Sequence, residues 1–487
     1  MNIPSKKITI DPVTRVEGHG RVTVHLDDAG KVERARFHIV EFRGFERFIQ
    51  GHPYWEAPLV VQRLCGICPV SHHLAAAKAI DQVYGYDPED LHPTATKIRR
   101  LLHFGQIFQS HALHFFYLAS PDLLFGVDAP VEKRSVGAVA LEHADLAKMG
   151  IQMRQFGQEI IRALAGKKIH GIAAIPGGVH KNFTPEERNY FLTDNETPSI
   201  DTMIEWSRGV VDFIKDYHDK NFGWLDSFAS YPSGHLGMVK DGALELYDGR
   251  LRAIDENGQV TLNDIHSDSY LKYFGEGVEK WSYMKFPYLR HLGRSKGWNR
   301  VGPLARLNVC ESIPTPLADA ELKEFKAYTN GRPNNPTMHS HWARLIEVLH
   351  CAEAMKELLE DPEILSEAER PPVNRRPEGI GIIEAPRGTL IHHYKVDEKG
   401  SITKCNLIVS TTHNNEPMNE AVRWVAQNVI DGQKEITDGM LNQVEVAIRA
   451  YDPCLSCATH SMGQMPLTLE VFDAEGKLVA EHVKDPT

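Results

Sequence analysis

The stretch Arg63-Leu-Cys65-Gly-Ile-Cys68-Pro69, followed at once by Ser71-His72-His73, has a counterpart near the other end of the chain, Asp452-Pro453-Cys454-Leu-Ser-Cys457-Ala-Thr-His460. Each is a C-x-x-C pair, so two sulfurs can reach one metal from a single turn. Gly66 relaxes the backbone where the first pair must curl. Four of the seven cysteines fall in these pairs, nearly four hundred residues apart. Thiolates select Zn, Fe–S clusters, Ni or Cu over Mg and Ca. A structural four-cysteine zinc site is the commonest fate of two such pairs. Zinc ribbons, however, hold their pairs about 15–20 residues apart, and a separation of hundreds suits a buried site that the whole fold assembles. On spacing, zinc, a redox metal and thiol–disulfide exchange all stay open. Asp452 and His460 then add hard ligands or proton carriers beside soft sulfurs. A zinc site needs neither, whereas a second, harder metal or a proton path does.

The chain has 487 residues, 42% hydrophobic and 24% charged, which is ordinary for a globular protein. Length alone suggests about three domains, but no strong linker, internal repeat or low-complexity segment divides it. The net charge of −11 argues against a nucleic-acid footprint, which needs clustered Lys and Arg. No run of about 18 apolar residues suggests a membrane span. The start, MNIPSKKITIDPVTRVEG, shows neither an apolar signal region of about 7–15 residues nor a twin-arginine pair. An odd number of cysteines in so long a chain makes no disulfide framework, so a reducing cytoplasm is expected.

Along the chain, residues 20–43 alternate around Asp27-Asp28-Ala29-Gly30 and predict a hairpin. An Ala-rich helix follows the first pair over Leu74–Tyr84. Pro93 to about Ala119 repeats apolar residues at three and four, the mark of a helix with a buried face. Residues 131–165 predict a second long helix ended by Gly166, and Thr184-Pro-Glu-Glu starts a short capped one. Further helices are expected over 201–220, 317–360 and 417–451, the last leading into the second pair. Hairpins are expected over 245–262 and 379–410, the latter turning at Asp397-Glu-Lys-Gly400. Residues 264–315 give no clear reading. The expected class is mainly α with small β-sheets (α+β), a long helix bundle closing around one metal site.

The paired motifs resemble those of the large, catalytic subunit of the nickel–iron (NiFe) hydrogenases over essentially the full length. R-x-C-G-x-C near one end and D-P-C-x-x-C-x-x-H near the other are that family's signatures. Asp11-Pro-Val-Thr-Arg-Val-Glu17-Gly-His, Arg43-Gly-Phe-Glu46 and Glu384-Ala-Pro386-Arg387-Gly-Thr also match. The nearest resemblance is to the cytoplasmic, NAD-linked bidirectional enzymes. It implies that Cys65 and Cys454 are terminal thiolates on nickel. Cys68 and Cys457 then bridge nickel to an iron carrying one CO and two cyanides. Hydrogen would split heterolytically, with the proton passing to a nickel thiolate and then to Glu17. Arg387 would overhang the site; since arginine is normally always charged, charge stabilisation and hydrogen bonding to cyanide suit it better than a role as base. Pro386, Thr411 and Asp452 would line the cofactor. Glu46 and His460 would hold a magnesium ion, which prefers oxygen ligands.

The resemblance also implies partners. No G-x-G-x-x-G follows a strand, and Cys310, Cys351 and Cys405 are isolated. NAD and FMN would therefore sit on diaphorase subunits, and Fe–S clusters in a small subunit. Where relatives carry Asp on the long helix this chain is expected to carry His114. Ser410 replaces a proline in Val409-Ser410-Thr411-Thr412-His413-Asn414. His72-His73 could touch a proton path, whereas His392-His393 and His339-Ser-His341 read as structural. Family members commonly end at the motif histidine after an endopeptidase, acting with nickel-insertion factors, removes an extension. Residues 1–460 would then be one interwoven unit and 461–487 the extension, with strand-like Leu467-Thr-Leu-Glu-Val-Phe and a turn at Asp473-Ala-Glu-Gly. The second pair is expected to be out of place until that tail goes. Rival readings are the relative in respiratory complex I that lacks the four cysteines, a hydrogen sensor, a structural zinc protein, or an enzyme linked to coenzyme F420 or NADP.

Overall fold

A computed structural model describes residues 7–195, 197–460, 467–475 and 477–484. Five long helices, Pro69–Tyr84, Pro93–Leu113, Ala144–Ala165, Ile200–Ser227 and His339–Glu360, pack on one another, with small sheets beside them. This is the α+β class read from the sequence. The helices divide by burial. Pro93–Leu113 and His339–Glu360 are buried nearly all round, polar residues included, as interior helices are. Ala144–Ala165 buries one stripe through Met153, Phe156, Ile160 and Leu164 and lies outside them. The 93–113 helix continues through a π-helical turn, His114–Ala119, into Ser120–Phe125.

The strands Lys7–Ile10, Gly20–Leu26 and Val32–Ile39 make one antiparallel sheet, which contains the hairpin expected over 20–43. Arg250–Ile254 and Val260–Ile265 pair as expected within 245–262. The region 379–410 is not one hairpin but a three-stranded meander, Glu378–Ala385, Gly388–Val396 and Ile402–Ile408. Its first turn is Pro386-Arg387, which delivers the arginine to the interior. The first two strands are buried on both faces over most of their length, so alternation could not mark the first one.

Gly379 and Gly381 explain why this sheet sits where it does. A Cβ at Gly379 would stand on the Ala79 carbonyl, and one at Gly381 on the Ala75 carbonyl. Strand and helix meet backbone to backbone, glycine against the alanine face of Pro69–Tyr84. That helix begins at Cys68, so the contact fixes the first cysteine pair relative to the Pro386-Arg387 turn.

Other long helices are broken where the sequence read them as continuous. Over 131–165, Val136–Glu142 is separated from Ala144–Ala165 by His143, at φ −136; the short segment buries only Val139, so no packed face holds it in line. Over 317–360, Pro316–Tyr328 and His339–Glu360 are split at Asn330 and Gly331, both with positive φ. Over 417–451, Asn415–Val425 and Asp438–Arg449 are split around Asp431 and Gly432. The region 264–315 holds the hairpin Phe274–Glu279/Ser282–Leu289 and the helix Pro303–Val309. Ser282–Leu289 is largely buried on both faces, so it lacks the alternation that marks a half-buried strand. Leu467–Phe472 pairs with Leu478–Lys484, as the strand-like tail suggested. Among the described residues no helix is long and apolar enough to cross a membrane.

The glycine contact yields a test. Gly381→Ala should destabilise the protein by about 1–3 kcal/mol through overpacking. Gly209→Ala, where a Cβ meets nothing within 4 Å, should be neutral or gain up to about 1 kcal/mol as a helical glycine replaced. Thermal unfolding of both variants measures this, and equal melting temperatures would contradict the packing described.

Candidate metal centre

The first cysteine pair stands in the loop between the 3-10 turn Val61–Leu64 and the helix Pro69–Tyr84. The N–H groups of Ile67 and Cys68 donate to Cys65 Sγ at 3.2 and 3.1 Å, so the loop wraps a sulfur. In the second pair Cys454 precedes the one-turn helix Leu455–Ala458 and Cys457 lies within it. The sulfurs of Cys65 and Cys454 are 3.3 Å apart, those of Cys68 and Cys457 3.6 Å, and those of Cys454 and Cys457 2.8 Å. All four lie within 4.8 Å of one another, all are buried, and none is in a disulfide. Thr411, Glu17 and Arg387 hold the 452–456 segment from three sides.

Those three contacts are specific. Leu455 N donates to the Glu17 carbonyl at 2.9 Å. The Glu17 Oε2 accepts from the Cys454 thiol at 3.0 Å and from Ser456 N at 3.1 Å. Thr411 Oγ1 accepts from Cys454 N at 3.0 Å, which leaves its own proton free to point elsewhere. Arg387 donates from Nε to the Asp452 carbonyl at 2.5 Å and from Nη2 to Asp452 Oδ1 at 2.9 Å. Asp452 itself is in the left-handed region, φ 53, a conformation Asp tolerates better than most residues. Asp452 Oδ2 is buried and has no partner among the described residues. A small pocket beside the sulfurs is walled by Ala385, Pro386, Leu390 and Val409, with Arg387 and Ser410 among its polar residues.

Electrostatics decide what this cluster can hold. Burial pushes the Cys454 and Cys457 thiols well above the usual range. Against the same burial, hydrogen bonds from Cys454, Cys457 and Cys68, with Arg387 nearby, hold Cys65 well below it. Four thiolates so close cannot all ionise without a compensating cation, so the donor set fits soft, positively charged metal. Burial also works against the charge on Arg387, but the Asp452 carboxylate and the thiols keep it cationic. Burial raises Asp452, and Arg387 and Arg344 pull it back.

A second, harder donor set adjoins the first. Glu46 N donates to the His460 carbonyl at 3.0 Å, and Glu46 Oε1 accepts from Leu407 N at 2.7 Å. His460 bonds the Cys457 carbonyl through Nδ1 at 3.1 Å. Its Nε2 is buried, has no hydrogen-bond partner among the described residues and lies 3.8 Å from Glu46 Oε1. Burial raises the Glu46 carboxyl and lowers His460 to about 4. An orphan imidazole nitrogen facing a carboxylate fits a cation between them.

Sequence reading missed three contributors. Ser110 Oγ lies 3.3 Å from Arg387 Nη1, whereas His114, the residue read as standing at the variable Asp position, bonds the Arg449 carbonyl at 2.7 Å and stacks on His341. Arg306 donates to Glu347 and Glu384, and to the carbonyls of Ala385 and Pro386, so a buried ion-pair network supports the Pro386-Arg387 turn. Neither Arg306 nor Glu347 lies in a motif. His72 bonds His392 at 3.1 Å, and His392 bonds Tyr394 at 2.7 Å. His73 is structural, held by Pro58 O and Ala174 N. Cys310, Cys351 and Cys405 are buried apart from the cluster.

A family model described as nickel-dependent hydrogenase matches residues 43–133 and 247–460, and one described as HoxL-like matches residues 7–42. This chain belongs to the nickel-dependent hydrogenase family. It is a hydrogenase large subunit, an oxidoreductase, and the four-cysteine cluster fits a nickel–iron centre. It is 52% identical over 488 residues to the NAD-reducing hydrogenase HoxS subunit beta of Cupriavidus necator, covering 99% of this chain and 100% of that one. It is 42% identical over 478 residues to a chain of the F420-non-reducing hydrogenase of Methanothermobacter thermautotrophicus, covering 97% and 99%. Its fold matches a solved NAD+-reducing NiFe hydrogenase in the H2-reduced state with a TM-score of 0.90 at 50% identity, over 93% of this chain and 99% of that one. The Ni-Fe-Se hydrogenase of D. vulgaris Hildenborough, at 22% identity and a TM-score of 0.73 over 94% and 100%, shares the fold.

The Thr411 contact is testable on its own. Thr411→Val leaves the buried Cys454 N–H without an acceptor and should cost about 1–3 kcal/mol. Thr411→Ser should recover most of it. Chemical denaturation of the three proteins measures the difference, and a fully stable valine variant would refute the contact.

Proposed function

We propose that this chain cleaves H2 reversibly at its four-cysteine centre, and that the electrons leave through a small Fe–S subunit toward NAD(P)+ on a diaphorase module. One observation carries the reading: four buried sulfurs converge from the two motifs with the Glu17 carboxylate against one of them, in a chain of the nickel-dependent hydrogenase family. Cys65 and Cys454 would hold nickel, and Cys68 and Cys457 would hold it together with an iron carrying CO and cyanide. Bound there, that group supplies the two-electron chemistry that takes H2 apart. The protein supplies the rest. Arg387, held cationic and aimed by Asp452, presents its guanidinium beside the pocket. The Thr411 hydroxyl, already used as an acceptor, keeps its proton to donate toward a cyanide, and Pro386 excludes water.

The proton has a short way out. From Cys454 Sγ it passes to Glu17 Oε2 over the 3.0 Å contact. Glu17 is only partly buried, so its carboxylate stands between the interior and the surface. Glu46 and His460 are assigned to a magnesium ion. Its place beside the second pair would fasten the 459–460 backbone to the 43–46 segment, where Arg43 N and Glu46 N already bond the Thr459 and His460 carbonyls.

The acceptor is read from relatives. The 52% identical protein and the solved structure are both named for NAD, and the methanogen relatives are by name F420-non-reducing, which lends coenzyme F420 no support. Docking of a small subunit suits the exposed Phe42, Phe48, Trp55 and Leu59, which precede the first cysteine pair. Residues 1–460 act as one catalytic unit in the cytoplasm, and maturation factors load the metals and remove 461–487. The hydrogenase family model ends at His460, in keeping with a boundary there.

Two measurements follow. Glu17→Gln should lose about 10²–10⁴-fold in H2 oxidation while retaining full nickel content, and undiminished activity would remove Glu17 from the proton path. Purified active enzyme should reduce NAD+ with H2, and mass spectrometry should find its large subunit ending at His460. An active chain still carrying residues 461–487 would refute the processing step.

A further inference from the structure

Away from the sulfur cluster, ligand-type side chains converge where the helix Ile200–Ser227 meets the start of His339–Glu360. His218, Asp226 and His339 bring two ring nitrogens and a carboxylate oxygen within 4.8 Å of one another. His339 Nε2 is 2.9 Å from Asp226 Oδ1, and His218 Nε2 is 3.8 Å from the same oxygen. Both imidazoles are buried. Among the described residues His218 Nε2 has no hydrogen-bond partner, although it points at a carboxylate, and an unpaired buried nitrogen is costly. Burial pushes His218 down to about 4, so its ring is neutral at neutral pH with a lone pair to offer.

The surroundings orient these groups. His339 Nδ1 is bonded to the Asn334 side chain, which leaves Nε2 to face Asp226. The other carboxylate oxygen of Asp226 accepts from the Tyr328 hydroxyl at 2.7 Å. Two residues eight apart on a straight helix are separated by about 12 Å along its axis. Here the helix breaks at Asn221, φ −126, and the break lets His218 and Asp226 meet. Buried Trp342 and the more exposed Tyr328 pack against the His218 ring, while the Asp226 side chain is 38% exposed and gives access from solvent.

We propose that His218, Asp226 and His339 form a second metal site, for a divalent first-row transition ion such as Zn2+, independent of the sulfur cluster. Two imidazoles and one carboxylate suit Zn, Co or Ni better than Mg or Ca. One negative charge among neutral ligands compensates half of the ion's charge, and three protein ligands leave a position open toward solvent. Fixing each ring through its other nitrogen or its neighbours is how metal-binding histidines are held. The ion fastens the outer helix to His339–Glu360, whose next turns carry Arg344, bonded to Ala450 O, and Glu347, bonded to Arg306. Its effect is on stability, and it touches none of the groups assigned to hydrogen chemistry.

The test uses the mature holoenzyme. It is incubated with Zn2+, freed of excess by gel filtration, counted by elemental mass spectrometry and examined at the zinc K-edge. The wild-type protein should retain one more zinc per large subunit than the Asp226→Asn or His218→Gln variant, with two imidazole neighbours at the metal. Zinc should raise the melting temperature of the wild type by a few degrees and leave that of Asp226→Asn unmoved. Asp226 is partly exposed, so its variant should fold and keep near wild-type hydrogenase activity. Equal zinc retention in wild type and Asp226→Asn, or sulfur neighbours at the bound zinc, would overturn the site.

Discussion

Four sulfurs must meet in the interior although the chain supplies them from near its two ends. Much of the architecture serves that constraint. One pair begins the Ala-rich helix Pro69–Tyr84, and Gly379 and Gly381 let a strand press directly on that helix. The same strand runs into the Pro386-Arg387 turn, and Arg387 grips Asp452 just before the second pair. Each contact therefore locates the next: backbone packing places the first pair, and the side chains of Arg387, Glu17 and Thr411 place the second.

The Arg387–Asp452 pair is nearly fully buried, at 3% and 2% side-chain exposure. Buried pairs do not automatically add stability, because desolvating both charges offsets their attraction. Here the pair has a positional role: bonds to both the backbone and the side chain of Asp452 hold a left-handed residue next to Pro453. The cost of keeping a guanidinium dry is offset first by Asp452 and then by the nearby sulfurs of Cys454, Cys68 and Cys65, which favour its charged form. Arg306, with Glu347 and Glu384, supports the turn from behind. The charged groups thus form two layers, one that aims the arginine and one that holds its turn.

Motif residues were the legible part. The two C-x-x-C pairs, Glu17, Glu46, Arg387, Thr411, Asp452 and His460 all stand in or around the cluster, because local spacing and flanking chemistry are written in sequence. The long helices were legible as well, since three- and four-residue periodicity reports a buried face. Their breaks were not: His143 and the Asp431–Gly432 junction interrupt helices for tertiary reasons. The first strand of the meander was hidden because burial on both faces erases alternation. Ser110, Arg306 and Glu347 were illegible for a related reason. Each is one polar residue on a helix, and only the third dimension shows that Ser110 meets Arg387, that Arg306 meets its turn and that Glu347 pairs with Arg306.

The most direct measurement is nickel K-edge X-ray absorption on the purified, mature protein, with infrared spectroscopy on the same sample. Four sulfur neighbours at nickel, together with CO and cyanide bands, are expected from the convergence of Cys65, Cys68, Cys454 and Cys457. Zinc in place of nickel, or a nickel bound mainly by nitrogen and oxygen without those bands, would contradict it.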